Sequence, residues 1–348
     1  MQHSFSIIIV TWNALEHLQR FLPSVAATDY SDFEIIIANN ASEDGTTEWV
    51  EENYPDCKVV TYDRNYGYAA GNNRAVKYAS GEILVFLNND VKTEPHWLDS
   101  FDNVFQDHSV GIAQPKLRSV EKPEYFEYAG AAGGYIDWMG YPFCRGRLID
   151  EVEKDLGQYD DASEIFWASG AAFAIRKELF QRAGGFDEDF EFHMEEIDLC
   201  WRCLKFGHKI KYVPKSTVYH LGGGSLAHGS PRKVFYNYRN NLLMLLKNLD
   251  RFIVPKIFFR LILDGISGIR SLLKGKPAET LAIIRAHFSF YGMIPTTLSK
   301  RTELKKISTS QTPKNLVLKR LLIMEYFVKG KKKFSELDVA NINEYKSE

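Results

Sequence analysis

The chain has 348 residues, 45% of them hydrophobic and 25% charged, which is enough to bury a sizeable core in about two domains and excludes disordered, collagen-like and disulfide-scaffold classes. The net charge of −2 hides an asymmetry: residues 1–231 hold 20 Lys and Arg against 36 Asp and Glu, whereas residues 232–348 hold 23 against 9. The acidic front argues against a nucleic-acid groove, and the basic rear calls for an anionic partner such as phospholipid or the acidic half of the chain itself.

Residues 1–10 lack a basic lead and carry a short apolar run ending in Thr11, Trp12 and Asn13, which reads as a strand and not a signal peptide. Apolar runs SIIIV, FEIIIA, CKVVTY and EILVFL recur near residues 6, 33, 57 and 82, separated by helical stretches such as 14–26 and 70–79. That alternation predicts an α/β fold with a mostly parallel central sheet flanked by helices. Ligands of open α/β sheets sit beyond the carboxyl ends of the strands, so the clusters TWN, NNASEDGT and NND are expected to converge on one crevice. No GxGxxG follows the first strand and no GxxxxGK[ST] occurs, so dinucleotide and P-loop sites are unsupported.

Residues 116–165, rich in Gly and aromatics, predict a long irregular binding loop. IFWASGAAFAIRKELFQRAGG then reads as a strand leading into a helix, EFHMEEIDLCWRCLKFG as a helix stopping at Gly207, and IKYVP as a further strand. Beyond Pro231 the pattern is helical throughout, dividing a catalytic domain, 1–231, from a basic, mainly helical region, 232–348. Within it Phe252–Lys274 is apolar but interrupted by Lys256, Arg260, Asp264 and Arg270, which excludes a span and suits a helix either packed on the protein or lying flat on a membrane. Lys329, Lys331, Lys332 and Lys333 beside Tyr326 and Phe327 form the expected anchor for anionic lipid. Cys57, Cys144, Cys200 and Cys203 point to a reducing compartment, and the lone CxxC, with no second pair, reads as packing.

Three clusters carry chemistry. Asn88, Asn89 and Asp90 end a strand at the crevice, where the carboxylate suits a hard divalent cation. Glu195 and Glu196 are adjacent and cannot share a helix face, whereas Asp198 and Arg202 are spaced to pair, leaving one glutamate free as a general base. His220 precedes a glycine-rich stretch that favours a loop close to a ligand. Trp138, Tyr141 and Trp167 are rings that suit stacking on a ligand, although Trp167, in an apolar strand, reads as core.

SIIIVTWNA, NNASEDGT, NYGYAAGNN, LNNDV, ASGAAFAIRKELFQRAGGFDEDF, MEEIDLCWR and YVPKSTVYHLGGGS, in that order, resemble the family 2 glycosyltransferases over roughly residues 4–245, most of all the bacterial rhamnosyltransferase-like branch. The resemblance implies a GT-A nucleotide-diphosphosugar transferase fold with a helical C-terminal extension, a divalent metal (Mg or Mn), and inverting single displacement. It further implies Thr11, Asn13, Asn39, Ser42, Asp44, Asn65, Gly67, Asn72, Asn88, Asn89 and Arg202 around the nucleotide-sugar, and Asp90 and His220 as metal ligands. Glu196 falls at the base position, with Glu195 and Asp198 beside it.

Three departures from the family pattern stand out: Asn39 for the usual base-reading Asp, Asn88 for the first Asp of DxD, and Glu196 for Asp. A UDP- or dTDP-sugar stays compatible with Asn39, because an amide oxygen accepts the pyrimidine N3 proton. The expected enzyme extends cell-surface polysaccharide on a glycan or lipid-linked acceptor, is cytoplasmic and peripheral at the inner face of the cell membrane, and has no nucleic-acid partner. The alternatives are a non-catalytic nucleotide-sugar-binding protein and a sugar-1-phosphate nucleotidyltransferase.

Overall fold

The structure, a computed structural model, describes residues 2–222 and 230–337. The front of the chain runs β1 (Phe5–Thr11), α1 (Leu15–Ala26), β2 (Phe33–Asn39), α2 (Thr46–Asn53), β3 (Lys58–Thr61), α3 (Gly67–Ala75), β4 (Ile83–Leu87), β5 (Val91–Thr93) and α4 (Asp99–Phe105). A long strand β6 (Val110–Ser119) leads into four short ones, β7 (Gly134–Asp137), β8 (Pro142–Cys144), β9 (Arg147–Leu148) and β10 (Glu151–Val152). There follow β11 (Ser163–Glu164), β12 (Ala172–Arg176), α5 (Lys177–Arg182), α6 (Glu195–Lys205) and β13 (Lys209–His220). The basic region supplies α7 (Pro231–Asn248), α8 (Ile253–Leu273), α9 (Pro277–Ile307), β14 (Val317–Leu318) and α10 (Leu322–Phe327).

The main sheet has the order β11-β13-β6-β12-β4-β1-β2-β3, with β5 paired to β13. It is mixed: β4, β1, β2 and β3 are mutually parallel, as are β6 and β13, but β12 runs antiparallel to both β4 and β6. The clearest strands in sequence are buried on both faces, such as β4, all five of whose residues are buried, whereas β3, at the sheet edge, is read from its short apolar run alone. β6 was not among them, because Pro115, Lys116 and Arg118 break its apolar run. Pro115 is tolerated where the register between β6 and β13 shifts, between Val213 and Thr217.

Two expectations need correction. Residues 116–165 are not an irregular loop: they build most of a second, five-stranded sheet in the order β10-β9-β8-β7-β14. Its strands are two to four residues long, too short for alternation to register. The region beyond Pro231 is not helical throughout either, since β14 joins that sheet by parallel pairing of Val317 with Ile136.

The basic region is fastened by charge as well as by apolar packing. Lys247 lies 2.6 Å from Asp187 and 2.9 Å from Asp198, Lys300 lies 2.6 Å from Asp189, and Arg239 lies 3.4 Å from Glu191. Part of the charge asymmetry is therefore paired within the chain. Cys200 and Cys203 are fully buried in α6, where they serve as packing residues.

Candidate active site

The carboxyl ends of β1 and β2 meet in a polar cluster. Asn13 bends into the left-handed region, φ 46°, so that its amide N–H donates to Ser42 Oγ at 3.0 Å while its side-chain oxygen accepts from the Glu43 N–H at 2.8 Å. Asn39 donates to Thr47 Oγ1 at 2.7 Å and accepts from the Ser42 N–H at 2.8 Å. Asp44 accepts from the Leu15 N–H at 2.9 Å and from the Thr46 hydroxyl at 2.6 Å. Burial opposes its charge, but these hydrogen bonds outweigh it and hold the carboxyl below its ordinary range. Asn89 joins this cluster to the next by donating to Thr11 Oγ1 at 3.1 Å.

α3 borders the same end of the sheet. Asn65 accepts from the Gly67 N–H at 2.8 Å, and Gly67, at φ +75°, takes a conformation that glycine adopts without strain. Asn72 is buried and donates to its own helix at Tyr68, 3.0 Å away. Asn40, not singled out in the sequence, pins this segment by donating to the Gly67 carbonyl at 3.1 Å and accepting from the Tyr66 N–H.

A cleft of about 600 Å³ brings together Asn88, Asp90, Glu195, Glu196 and His220. His220 ends β13, and its ring lies between two carboxylates, with Nε2 3.1 Å from Asp90 Oδ1 and Nδ1 3.2 Å from Glu127 Oε1. Burial alone would lower the imidazole pKa, but Glu127 and Asp90 raise it to about 10, so His220 is a cation at neutral pH. Burial likewise pushes Asp90 upward, and the bond and charge of His220 outweigh this and hold it ionised.

This set suits a divalent ion. A buried position between two carboxylates already attracts positive charge, and Asp90 with the His220 imidazole, once the ring has given up its proton, offers one oxygen and one nitrogen donor. Among the described residues no group of three or more His, Cys, Asp or Glu is placed to hold a metal ion. The remaining ligands would thus be substrate oxygens and water. The glycines that follow Gly222 in the sequence motif lie outside the described residues.

The segment before α6 is held in an uncommon backbone. Glu191, His193 and Met194 all have positive φ, at 60°, 65° and 74°. Asn240 of α7 stabilises it by donating to the carbonyls of Phe190, Phe192 and His193 at 2.7, 2.7 and 2.9 Å. The turn delivers Glu195 and Glu196 to the cleft, each with a buried carboxyl oxygen that has no hydrogen-bond partner. Burial raises Glu196 to about 7, and it raises Glu195 well above the carboxylate range with help from the charge of Glu196. Near neutral pH Glu195 is therefore protonated while Glu196 is poised to exchange a proton.

Asp198, Arg202, Tyr141 and Trp138 lie outside the cleft, and Trp167 is core as expected. Asp198 and Arg202 form their i,i+4 pair at 2.8 Å but lie beneath the cleft, and Arg202 donates to the Ala183 carbonyl, so it does not line the cleft where a donor would sit. Asp198 is instead a buried hub that also accepts from Lys247 and Asn248. Tyr141 is covered by the Arg260 guanidinium at 3.6 Å, and neither it nor Trp138 lines the cleft. Trp167 is core, packed flat on Gly134, where a Cβ would meet the ring at 2.0 Å. The rings that do line the cleft include Tyr68, Tyr128 and Phe192. Glu127 was missed because a lone glutamate in a stretch read as loop carries no spacing signal.

Comparison with known proteins agrees with this geometry. The Glycosyl transferase family 2 profile matches residues 6–184. Over 221 residues the chain is 30% identical to the O-antigen biosynthesis protein RfbC of Myxococcus xanthus, covering 62% of this chain and only 17% of that protein. Over 234 residues it is 27% identical to the N-acetylglucosaminyl-diphospho-decaprenol L-rhamnosyltransferase of Mycobacterium tuberculosis, covering 62% of this chain and 75% of that one. In fold it is similar to GalNAc-T7, a structure holding UDP, GalNAc and Mn2+, at a TM-score of 0.56 and 18% identity, over 71% of this chain and 48% of that one. The profile match, over more than half of the chain, establishes that it belongs to glycosyl transferase family 2.

Proposed function

We propose that the protein is an inverting, metal-dependent glycosyltransferase of cell-surface polysaccharide synthesis, moving a hexosyl or rhamnosyl group from a UDP- or dTDP-sugar to a glycan or lipid-linked glycan. The observation that carries this reading is a single cleft lined by Asp90 and His220 together with Glu196, whose carboxyl is raised to about 7. The family match favours transfer over the nucleotidyltransferase and non-catalytic alternatives.

In this reading Asp90 and His220, its imidazole deprotonated, hold a divalent ion, which when bound neutralises the charge on the diphosphate leaving group. Glu127 orients the imidazole from behind. Glu196 accepts the proton of the acceptor hydroxyl as it attacks the anomeric carbon from the face opposite the diphosphate. Glu195, already protonated, keeps a second negative charge away from that hydroxyl. The cluster of Thr11, Asn13, Asn39 and Ser42 receives the nucleoside, and Asn65, Gly67 and Asn72 shape the segment beside it.

We assign the division between catalytic and basic regions to Pro231, at the start of α7, whose N-cap Ser230 accepts from the Lys233 N–H at 3.3 Å. Among the described residues no helix is long and apolar enough to cross a membrane. A peripheral position at the inner membrane face is part of the proposal. The test is a screen of nucleotide sugars by calorimetry with and without Mn2+. Metal-dependent binding of one donor supports the reading, and binding of none with metal present overturns it.

A further inference from the structure

We propose that the outer face of α8, continued by α9, docks on an anionic lipid bilayer. This rests on the membrane placement proposed above and assigns it a surface. Phe258, Phe259, Ile262, Ile266, Ile269 and Leu273 of α8 are 61, 56, 44, 57, 60 and 83% exposed. Their spacing puts them on one side of a 21-residue helix, a stripe roughly 23 Å long at about 1.5 Å per residue. Ile284 and Phe288 of α9, 47 and 71% exposed, extend it sideways. The opposite side of α8 is occupied: Arg260 and Asp264 are buried and paired at 3.0 Å, and Arg260 also donates to Asn241 at 2.6 Å. An exposed apolar face of this extent marks an interaction surface.

Charge selects the occupant. Asp264 is the only acidic residue of α8 and is 1% exposed, whereas Arg251, Arg270 and Lys274 at its ends are exposed. A second copy of the same face would bring like charges together, but an anionic bilayer complements them and accepts an amphipathic helix lying in its plane. Two of the four lysines expected to be the anchor are paired within the chain. Lys329 and Lys331 lie 2.6 and 2.7 Å from Glu325, and Tyr326 is 5% exposed.

The test uses the full chain with vesicles of phosphatidylglycerol and phosphatidylethanolamine, and with phosphatidylcholine vesicles as control. Wild type is expected to co-sediment with the anionic vesicles at low salt and to be largely released at high salt. Ile266→Glu with Ile269→Glu, both exposed, should lower the bound fraction about 10-fold or more with an unchanged circular dichroism spectrum, because two charges enter the lipid boundary. Gln at Lys329, Lys331, Lys332 and Lys333 should retain most binding. If the double Glu variant binds as wild type does, the assigned surface is wrong while the membrane placement stands. If wild type ignores anionic vesicles at low salt, both fall. If the double variant instead converts a dimer to a monomer in solution, the face belongs to a second copy and the proposal is overturned.

Discussion

Asn240 of α7 donates its side-chain amide to the His193 carbonyl at 2.9 Å, two residues before Glu195. The same amide reaches the carbonyls of Phe190 and Phe192, so a residue of the basic region holds the strained turn that presents the acidic pair. Asn240→Ala removes this donor from the carbonyls of Phe192 and His193, at about 1–3 kcal/mol, while Phe190 keeps the Phe192 N–H and Arg239. Turnover is expected to fall more than donor affinity does. A variant with wild-type kcat but a lowered Tm would limit Asn240 to stability.

Glu196→Gln keeps size and hydrogen bonding but cannot accept a proton. Its turnover should drop about 100-fold or more while donor affinity stays close to normal. Glu195→Gln should be much milder, because Glu195 is already protonated near neutrality. In wild type the acid limb of kcat should have its midpoint near 7, where Glu196 releases its proton, and that limb should vanish in the Glu196 variant. The reverse ranking of the two variants would assign the base to Glu195.

The same shift has a consequence for stability. The folded-state value of Glu196, about 7, lies above its ordinary 4.5, so the stability it contributes is complete below about 4.5 and is lost as pH rises through 7. Glu196→Gln should therefore gain in Tm relative to wild type between those values. Thermal melts at pH 4.5 and pH 8 measure it, and a constant difference would contradict the shift.

Asp90→Asn should abolish transfer and weaken donor binding in Mg2+ or Mn2+, while His220→Ala weakens activity less, since diphosphate and water can fill the vacated position. His220→Ala leaves Asp90 and Glu127 facing the cleft without the cation between them. Titration calorimetry with Mn2+ and nucleotide is the measurement. Full metal affinity in Asp90→Asn would remove Asp90 from the ligand set.

The parallel half of the sheet was legible because β1, β2 and β4 are unbroken apolar runs that end in polar clusters. β6 escaped because a bulge on its partner accommodates Pro115, a relation between strands that no single run records. The short strands of the second sheet escaped for want of length. Asp90, His220 and the acidic pair were legible as residue types at strand and helix ends. That Arg202 lies under the cleft, and that Glu127 backs His220, depends on folding distant segments together. α8 was legible as amphipathic, but which of its sides faces outward is decided by Arg260, Asp264 and Asn241.

Lys247 tests how firmly the basic region is fastened. Its ammonium lies 2.6 Å from Asp187 and 2.9 Å from Asp198, all three side chains being buried. Burial opposes charge on Asp187, but Lys247 and Lys300 outweigh it and hold its carboxyl well below the usual range. Lys247→Met keeps the apolar stem and removes the charge, leaving Asp198 to Arg202 and Asn248, and Asp187 to Lys300. Loss of one partner of a buried ion pair costs about 3–5 kcal/mol. Because the folded value of Asp187 is depressed, the pairing stabilises above its ordinary value of 3.8 and is lost as pH falls. The Tm gap between wild type and Lys247→Met is thus expected to be widest near neutral pH and to narrow below about pH 4. Equal melting temperatures at pH 7 would mean that the Lys247 charge adds nothing to what apolar packing and the Asn248–Asp198 hydrogen bond contribute.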